Sequence, residues 1–211
     1  FIINAANAGA VNGIDFTGVE DLTGGAGADL FTVAAGGSLD GSVAGQGGDD
    51  ELDVAGAAAV TVNLEDSSAT VLNGGAADGF SSIESFTGNG TDDSLVATAG
   101  NDTFNTTGEN DGTVAGITYT DFANIGGGAG DDTFNLQHNV TGTVDGGADN
   151  DTIIGDAANA NAFTVTAANA GDVNGIDFTA VENLTGGAAD DVFTIAAGGS
   201  AIVVSPNGRQ A

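Results

Sequence analysis

Gly24-Gly25-Ala26-Gly27-Ala28-Asp29-Leu30-Phe31-Thr32 has the form G-G-x-G-x-D-x-U-x, with U a large apolar residue. Glycine reaches positive φ without a Cβ penalty, so the first half of the stretch can turn a tight corner with its carbonyls exposed. Asp29 adds a hard anionic oxygen there, and Phe31 then drops into a core as a short strand begins. One corner and one strand make half a coil.

The form returns along the chain. Residues 127–135 match it fully, and residues 45–53 keep the aspartate and the apolar anchor. Looser copies occupy residues 88–96, 97–105, 146–154 and 186–194, with 73–81 the weakest. A register held this often points to a repeat fold, in which no unit buries its apolar face alone and stacked neighbours complete the core.

The anchors set the length of a unit. Phe31 to Leu52 is 21 residues and Phe134 to Ile153 is 19. The gaps Leu52 to Leu95, Leu95 to Phe134 and Ile153 to Phe193 are 43, 39 and 40, which read as two coils each. The expected fold is therefore all-β: a single-stranded parallel β-helix, or β-solenoid, of about 20 residues per coil and about ten coils. Right-handed coiling is expected from the usual chirality of parallel crossovers.

Two further repeats support this. The 34 residues 5–38 reappear without a gap as residues 167–200, an offset of 162, as a duplicated multi-coil block would. Within the block a shorter unit runs 16–31, 80–95, 119–134 and 178–193: an aromatic, small and apolar positions, often a Glu, then the glycine corner. The third copy has Ala123 where the others have Glu20, Glu84 and Glu182, so that glutamate reads as a solvated, outward side chain. Of the 11 Phe, all but Phe1 and Phe163 fall at one of three recurring positions and should stack in columns. Strands are expected at 14–17, 30–33, 60–64, 113–119, 162–166, 192–195 and 201–204, where apolar residues alternate with Thr, Asn or Ser. The repeat domain is expected to span 1–200 as an excerpt of a longer array. Residues 201–211, with the only Pro and the only Arg, read as a divergent tail or junction.

Composition narrows the function. Thirty acidic residues face one basic residue, for a net charge of −29 in 211 residues. Phosphate-backbone binding needs clustered Lys and Arg, so nucleic acid is excluded and cations are the expected partners. Total charge is only 15% and the apolar residues are patterned for burial, which argues against disorder. No apolar run approaches the roughly 20 residues that span a bilayer, so membrane insertion is not expected. There is no Cys and a single His, His138, in a turn-like stretch. Most general bases, nucleophiles and oxyanion clamps are missing, so an enzyme is not expected. Thr pairs such as Thr141/Thr143 do not recur once per coil, as an ice-binding face would require.

The corner aspartates pose a physical problem. If Asp29 and Asp50, or Asp132 and Asp151, hold the same corner of successive coils, their charges lie about 5 Å apart and repel by roughly 0.8 kcal/mol per pair even in water. A calcium ion between coils would remove that cost, because its 2.3–2.6 Å bonds reach oxygens on both.

Here the chain resembles the hemolysin-type (RTX) calcium-binding repeats of secreted bacterial proteins, and more loosely the long repetitive adhesin-like surface proteins built from such coils. The resemblance implies Ca2+ bound by Asp side chains and loop carbonyls of successive turns, with Asp29, Asp50, Asp93, Asp102, Asp132, Asp151 and Asp191 as the ligands. It also implies an extracellular or bacterial cell-surface location. The family's nonapeptides run in tandem with 18-residue turns, whereas tandem copies occur here only at 88–105 and several corners lack the fourth-position glycine. Two functions are expected from these readings. One is a structural stalk or filament segment whose partners are divalent cations and neighbouring copies of the same solenoid, stacked end to end or laterally. The other is a non-catalytic, calcium-dependent module of a secreted protein that binds surface glycans or serves secretion.

Overall fold

The computed structural model describes residues 1–199 and the backbone of Val203–Ser205. The expected tail at 201–211 lies otherwise outside the described residues. Almost every regular element is a short β-strand; a single 3-10 turn at Asn73–Gly75 is the one helical piece among the described residues. The strands stack in parallel ladders, as a β-solenoid requires. The chain clusters into two compact units, Phe1–Val96 with Gly116–Ala123, and Ala97–Ala115 with residues 124 onward.

In the first unit, Leu30–Val33 pairs in parallel with Glu51–Asp53 and sets Phe31 opposite Leu52. The column continues from Leu52 to Phe86 and from Phe86 to Tyr119. All four of these side chains are buried. A second wall joins Leu22 to Val43 and Val43 to Phe80, and a third sets Val62 opposite Leu95. In the second unit the column runs Phe104, Phe134, Ile153, Leu184 and then Val204 by backbone register. The other wall there aligns Ile125, Val144 and Phe178. Because side chains alternate faces along a strand, in-register parallel stacking delivers one apolar side chain per coil to the same place in the core. Phenylalanines do stack: Phe104 on Phe134 at 4.8 Å, and also Phe1 on Phe31 at 4.6 Å and Phe163 on Phe193 at 4.5 Å. The last two are the same pair in the two copies of the duplication.

Coils come in two sizes. Corner residues bonded to each other are 21 and 19 residues apart at Asp29/Asp50 and Asp132/Asp151. They are 34, 30 and 31 apart at Asp50/Glu84, Asp102/Asp132 and Asp151/Glu182. Leu95 therefore does not sit two coils above Leu52; it belongs to another wall, opposite Val62. The longer coils carry antiparallel insertions. Ala162–Ala167, Ala170–Val173 and Ile176–Thr179 form a three-stranded meander, with the last strand against Thr143–Gly147 and the first against Val192–Ile195. The chain thus steps ahead along the ladder and folds back before going on. Ile2–Ala5, Ala8–Val11 and Ile14–Thr17 repeat the meander in the first unit.

Residues 113–119, expected as one strand, are split. Asp111–Val114 and Ile117–Thr120 are separate strands because Ala115 and Gly116 take φ 51° and 82° between them. Asn12-Gly13 (50°, 79°) and Asn174-Gly175 (55°, 90°) turn the same corner in the two meanders. Two consecutive positive φ values give the tight turn whose twist matches antiparallel strands.

Candidate functional site: the corner carboxylates

Each predicted aspartate except Asp191 lies immediately before a strand that pairs within its own unit in a buried wall; Asp191 precedes the exposed strand Val192–Ile195. At that point the backbone N–H emerges from a corner, where the next coil has no carbonyl in line with it. A carboxylate takes the carbonyl's place. The Asp29 amide donates to Asp50 Oδ1 (2.7 Å), Asp102 to Asp132 (2.7 Å) and Asp132 to Asp151 (2.9 Å). On the other walls Val60 donates to Asp93 (2.6 Å) and Asn161 to Asp191 (2.8 Å).

A second bond closes each clasp. The carbonyl of the lower corner residue accepts the amide just after the upper one: Glu51 to Asp29 (2.9 Å), Thr133 to Asp102 (2.9 Å), Thr152 to Asp132 (2.8 Å). The carboxylate half of the clasp is charge-assisted, and such bonds are shorter and stronger than neutral ones.

Glu84 and Glu182 belong to the same system. They are not the solvated side chains expected from Ala123: Glu84 accepts the amide of Asp50 (2.9 Å) and Glu182 that of Asp151 (2.9 Å). The equivalent Glu20 is exposed.

The remaining carboxylate oxygens divide by loop conformation. Oδ2 of Asp29, Asp93 and Asp102 accepts the amide four residues earlier, from Gly25 (2.6 Å), Asn89 (2.7 Å) and Thr98 (2.9 Å). Before Asp50, Asp132 and Asp151 the residue at that place, Gln46, Gly128 or Gly147, is left-handed, at φ 81°, 96° and 103°. Its amide does not reach, and Oδ2 of these three is buried without a hydrogen-bond partner. These aspartates are 0%, 1% and 0% exposed. Desolvation raises the Asp132 and Asp151 carboxyls from the ordinary 3.8 to about 6, against the lowering effect of the amides they accept. Burial also raises Asp93.

Six of the seven aspartates have a glycine five residues earlier, Asp102 having Ala97 there, and in most of them the glycine has a steric cause. A Cβ on Gly24, Gly45, Gly127, Gly146 or Gly186 would strike the corner carboxylate. At Gly45, Gly127 and Gly146 it would also strike a carbonyl oxygen, of Ser82, Gly146 and Ala180 respectively. The glycine-to-aspartate spacing of the nonapeptide is thus explained by the close approach of a carboxylate to bare backbone.

Calcium requires six to eight oxygens around one point. Among the described residues no three Asp, Glu, His or Cys side chains are grouped to hold a metal ion. One oxygen of each predicted ligand accepts a backbone amide instead, and the orphan Oδ2 atoms lie against glycine. Among the described residues the carboxylates alone therefore do not make an oxygen cage. His138 is exposed beside a cleft of about 230 Å³ that also includes Gln137, Asn139 and Asp156. The Gln137 side chain is already bonded to Gly155 and Ala157.

Comparison with protein-family models, with curated proteins and with solved structures finds no match for this chain. Among the described residues no helix is long and apolar enough to cross a membrane.

Proposed function

We propose that the chain is a structural segment, an acidic β-solenoid that serves as a stalk or filament portion of a large repetitive extracellular or bacterial surface protein. The observation that carries this reading is the corner clasp, because it recurs on several walls and both sides of the duplication and every member of it bonds to backbone. Its chemistry holds register and leaves no acid poised for a substrate, so no enzymatic role is assigned. The charge of −29 keeps lateral neighbours apart and directs association toward coil ends.

Calcium, which the resemblance implies, would have to displace amides from both oxygens of Asp29, Asp93 and Asp102, whereas Oδ2 of Asp50, Asp132 and Asp151 has no amide to lose. Thermal unfolding with millimolar calcium and with chelator tests this: the proposal expects closely similar midpoints. A large upward shift with calcium would replace the amide clasp with a metal ladder. Electron microscopy of the intact parent protein tests the stalk itself, which requires an extended thin segment.

The second reading, a glycan-binding module, is favoured only by the cleft at His138. A glycan array separates the two, since a stalk gives no signal at any sugar.

A further inference from the structure

Six asparagines stand two places before a Thr with no Pro between, the acceptor pattern for an N-linked sugar: Asn89, Asn101, Asn105, Asn139, Asn150 and Asn183. The fold makes them unequal. Asn89 Oδ1 accepts the amides of Thr91 and Asp92, and Asn101 Oδ1 accepts that of Asp131. Asn105 Oδ1 accepts the Asn135 side chain, and Asn183 Nδ2 donates to the Asp151 carbonyl. A sugar on any of these disturbs a bond that joins parts of the fold. Asn139 and Asn150 are exposed, and among the described residues neither carboxamide makes a hydrogen bond.

Their surroundings differ. Asn150 opens a corner, where the amides of Asn150, Asp151 and Thr152 bond to Asp131, Glu182 and Asp132. Asn139 lies instead in residues 136–142, which belong to no strand, and it lines the cleft at His138. Leu136, Val173 and Ile176 supply the apolar part of that cleft. Gln137 and Asn174 are fixed beside them by bonds to Gly155, Ala157, Asn161 and Ala162. Each of these two amides keeps a second N–H and a second lone pair for a hydroxyl. At about 230 Å³ the cleft is smaller than a drug-sized site of roughly 300–1,000 Å³, so it suits a single ring. The Asp156 carboxylate in its lining and the charge of −29 favour an uncharged ring over an acidic one.

We infer that Asn139 is an N-glycosylation site whose first sugar, a neutral hexose, seats in this cleft against Leu136, Val173 and Ile176. The donor is a nucleoside-diphosphate hexose brought by a glycosyltransferase. Asn139 Nδ2 bonds to the anomeric carbon, the bond from that carbon to the diphosphate oxygen breaks, the nucleoside diphosphate leaves with the electron pair, and Nδ2 gives up one proton. Thr141, whose hydroxyl completes the pattern, is bonded to Asn110 (2.9 Å), a contact that the transferase has to open. Tethering gives the attached ring an effective concentration that a free sugar lacks, so the cleft is filled without making the chain a glycan receptor. The inference rests on the extracellular part of the proposed function, where such acceptors are used.

The test incubates the folded full chain with a soluble N-glycosyltransferase and a uridine-diphosphate hexose, and reads each acceptor by peptide mass spectrometry beside synthetic peptides of the same stretches. Hexose on Asn139 exceeds that on Asn89, Asn101, Asn105 and Asn183 by about tenfold, the factor that opening one further hydrogen bond represents, while the free peptides show no such order. Asn139→Gln removes that addition. In the modified chain the methyl protons of Val173 and Ile176 cross-relax with the sugar ring by NMR. Hexose spread equally over all the acceptors, or absent from Asn139 while its free peptide is modified, overturns the acceptor site. A sugar on Asn139 without contact to Val173 and Ile176 overturns its seat in the cleft. Either failure leaves the stalk standing, because electron microscopy of the parent protein decides that separately.

Discussion

The amide of Asp132 donates to the carboxylate of Asp151 at 2.9 Å, and the amide of Thr152 returns the bond to the Asp132 carbonyl at 2.8 Å. Two acidic residues are thereby stacked, the backbone of one held by the side chain of the other. The arrangement gives each stacked acid an amide donor, provided that burial of the carboxyls is tolerated. Their chemistry reflects that condition.

A carboxyl whose pKa is higher folded than unfolded takes up a proton on folding. For Asp132 and Asp151, at about 6 against 3.8, the resulting stability is full below pH 4 and is lost as pH rises through about 6. The chain should melt higher at pH 4.5 than at pH 7.5. Asp132→Asn with Asp151→Asn should flatten that slope and raise the midpoint at pH 7.5, because an amide keeps the acceptor and gives the buried second atom no charge. Asp190→Asn, at an exposed position, should leave the slope in place. Calorimetry across pH 4–8 reads all three, and equal slopes in the double variant and the parent would refute the assignment.

Gly146→Ala should cost about 3 kcal/mol, the range of an overpacked core site, because the new methyl meets the Ala180 carbonyl oxygen and Asp151 Oδ2. Gly175→Ala offers the contrast. Its φ is +90° but nothing lies within 4 Å of a Cβ there, so only backbone strain remains, about 1 kcal/mol. Urea unfolding of both variants separates collision from conformation. If the two cost the same, the groups around Gly146 yield to a methyl and collision does not explain the corner glycine.

Much of this was legible in advance. The pairing of Phe31 with Leu52, and of Phe134 with Ile153, follows from the nonapeptide register, since an apolar residue two places after a corner can only fill a core if the corners stack. The meanders were hidden by the same regularity. Strands with one buried face alternate alike whether their neighbours run parallel or antiparallel, so 113–119 read as one strand. The signal that separates them is short: Val11-Asn12-Gly13-Ile14, Val114-Ala115-Gly116-Ile117 and Val173-Asn174-Gly175-Ile176 each set a two-residue turn between apolar residues. Each of the corner aspartates directly precedes a strand, but the group it faces cannot be read from residue type. A carboxylate facing an amide and one facing a cation have the same sequence, and only the fold shows which group is within reach.

Glu182→Ala should destabilise by about 1–3 kcal/mol, the cost of leaving a buried amide without its acceptor, here that of Asp151. Glu84→Ala should do the same through Asp50. Glu20→Ala should fall within about 0.5 kcal/mol of the parent, as an exposed substitution does. Denaturant midpoints with unchanged m-values would establish the order. Three equal effects would mean that these glutamates act through bulk charge.

The core columns set the last expectation. Phe134 is fully buried, stacked on Phe104 at 4.8 Å with an interplanar angle of 11°, and opposite Ile153 on its other side. Phe134→Ala removes a ring from a column whose neighbours are held by backbone ladders and cannot collapse into the gap, so the cost should reach about 3–5 kcal/mol. Phe193 stacks on Phe163 in the same manner at 4.5 Å, but its strand ends a sheet and its ring is partly open to solvent. Phe193→Ala should therefore cost clearly less than Phe134→Ala. That ordering distinguishes a column closed on both sides from ring stacking as such, since a stacked pair valued only for its own contact would make the two substitutions equivalent.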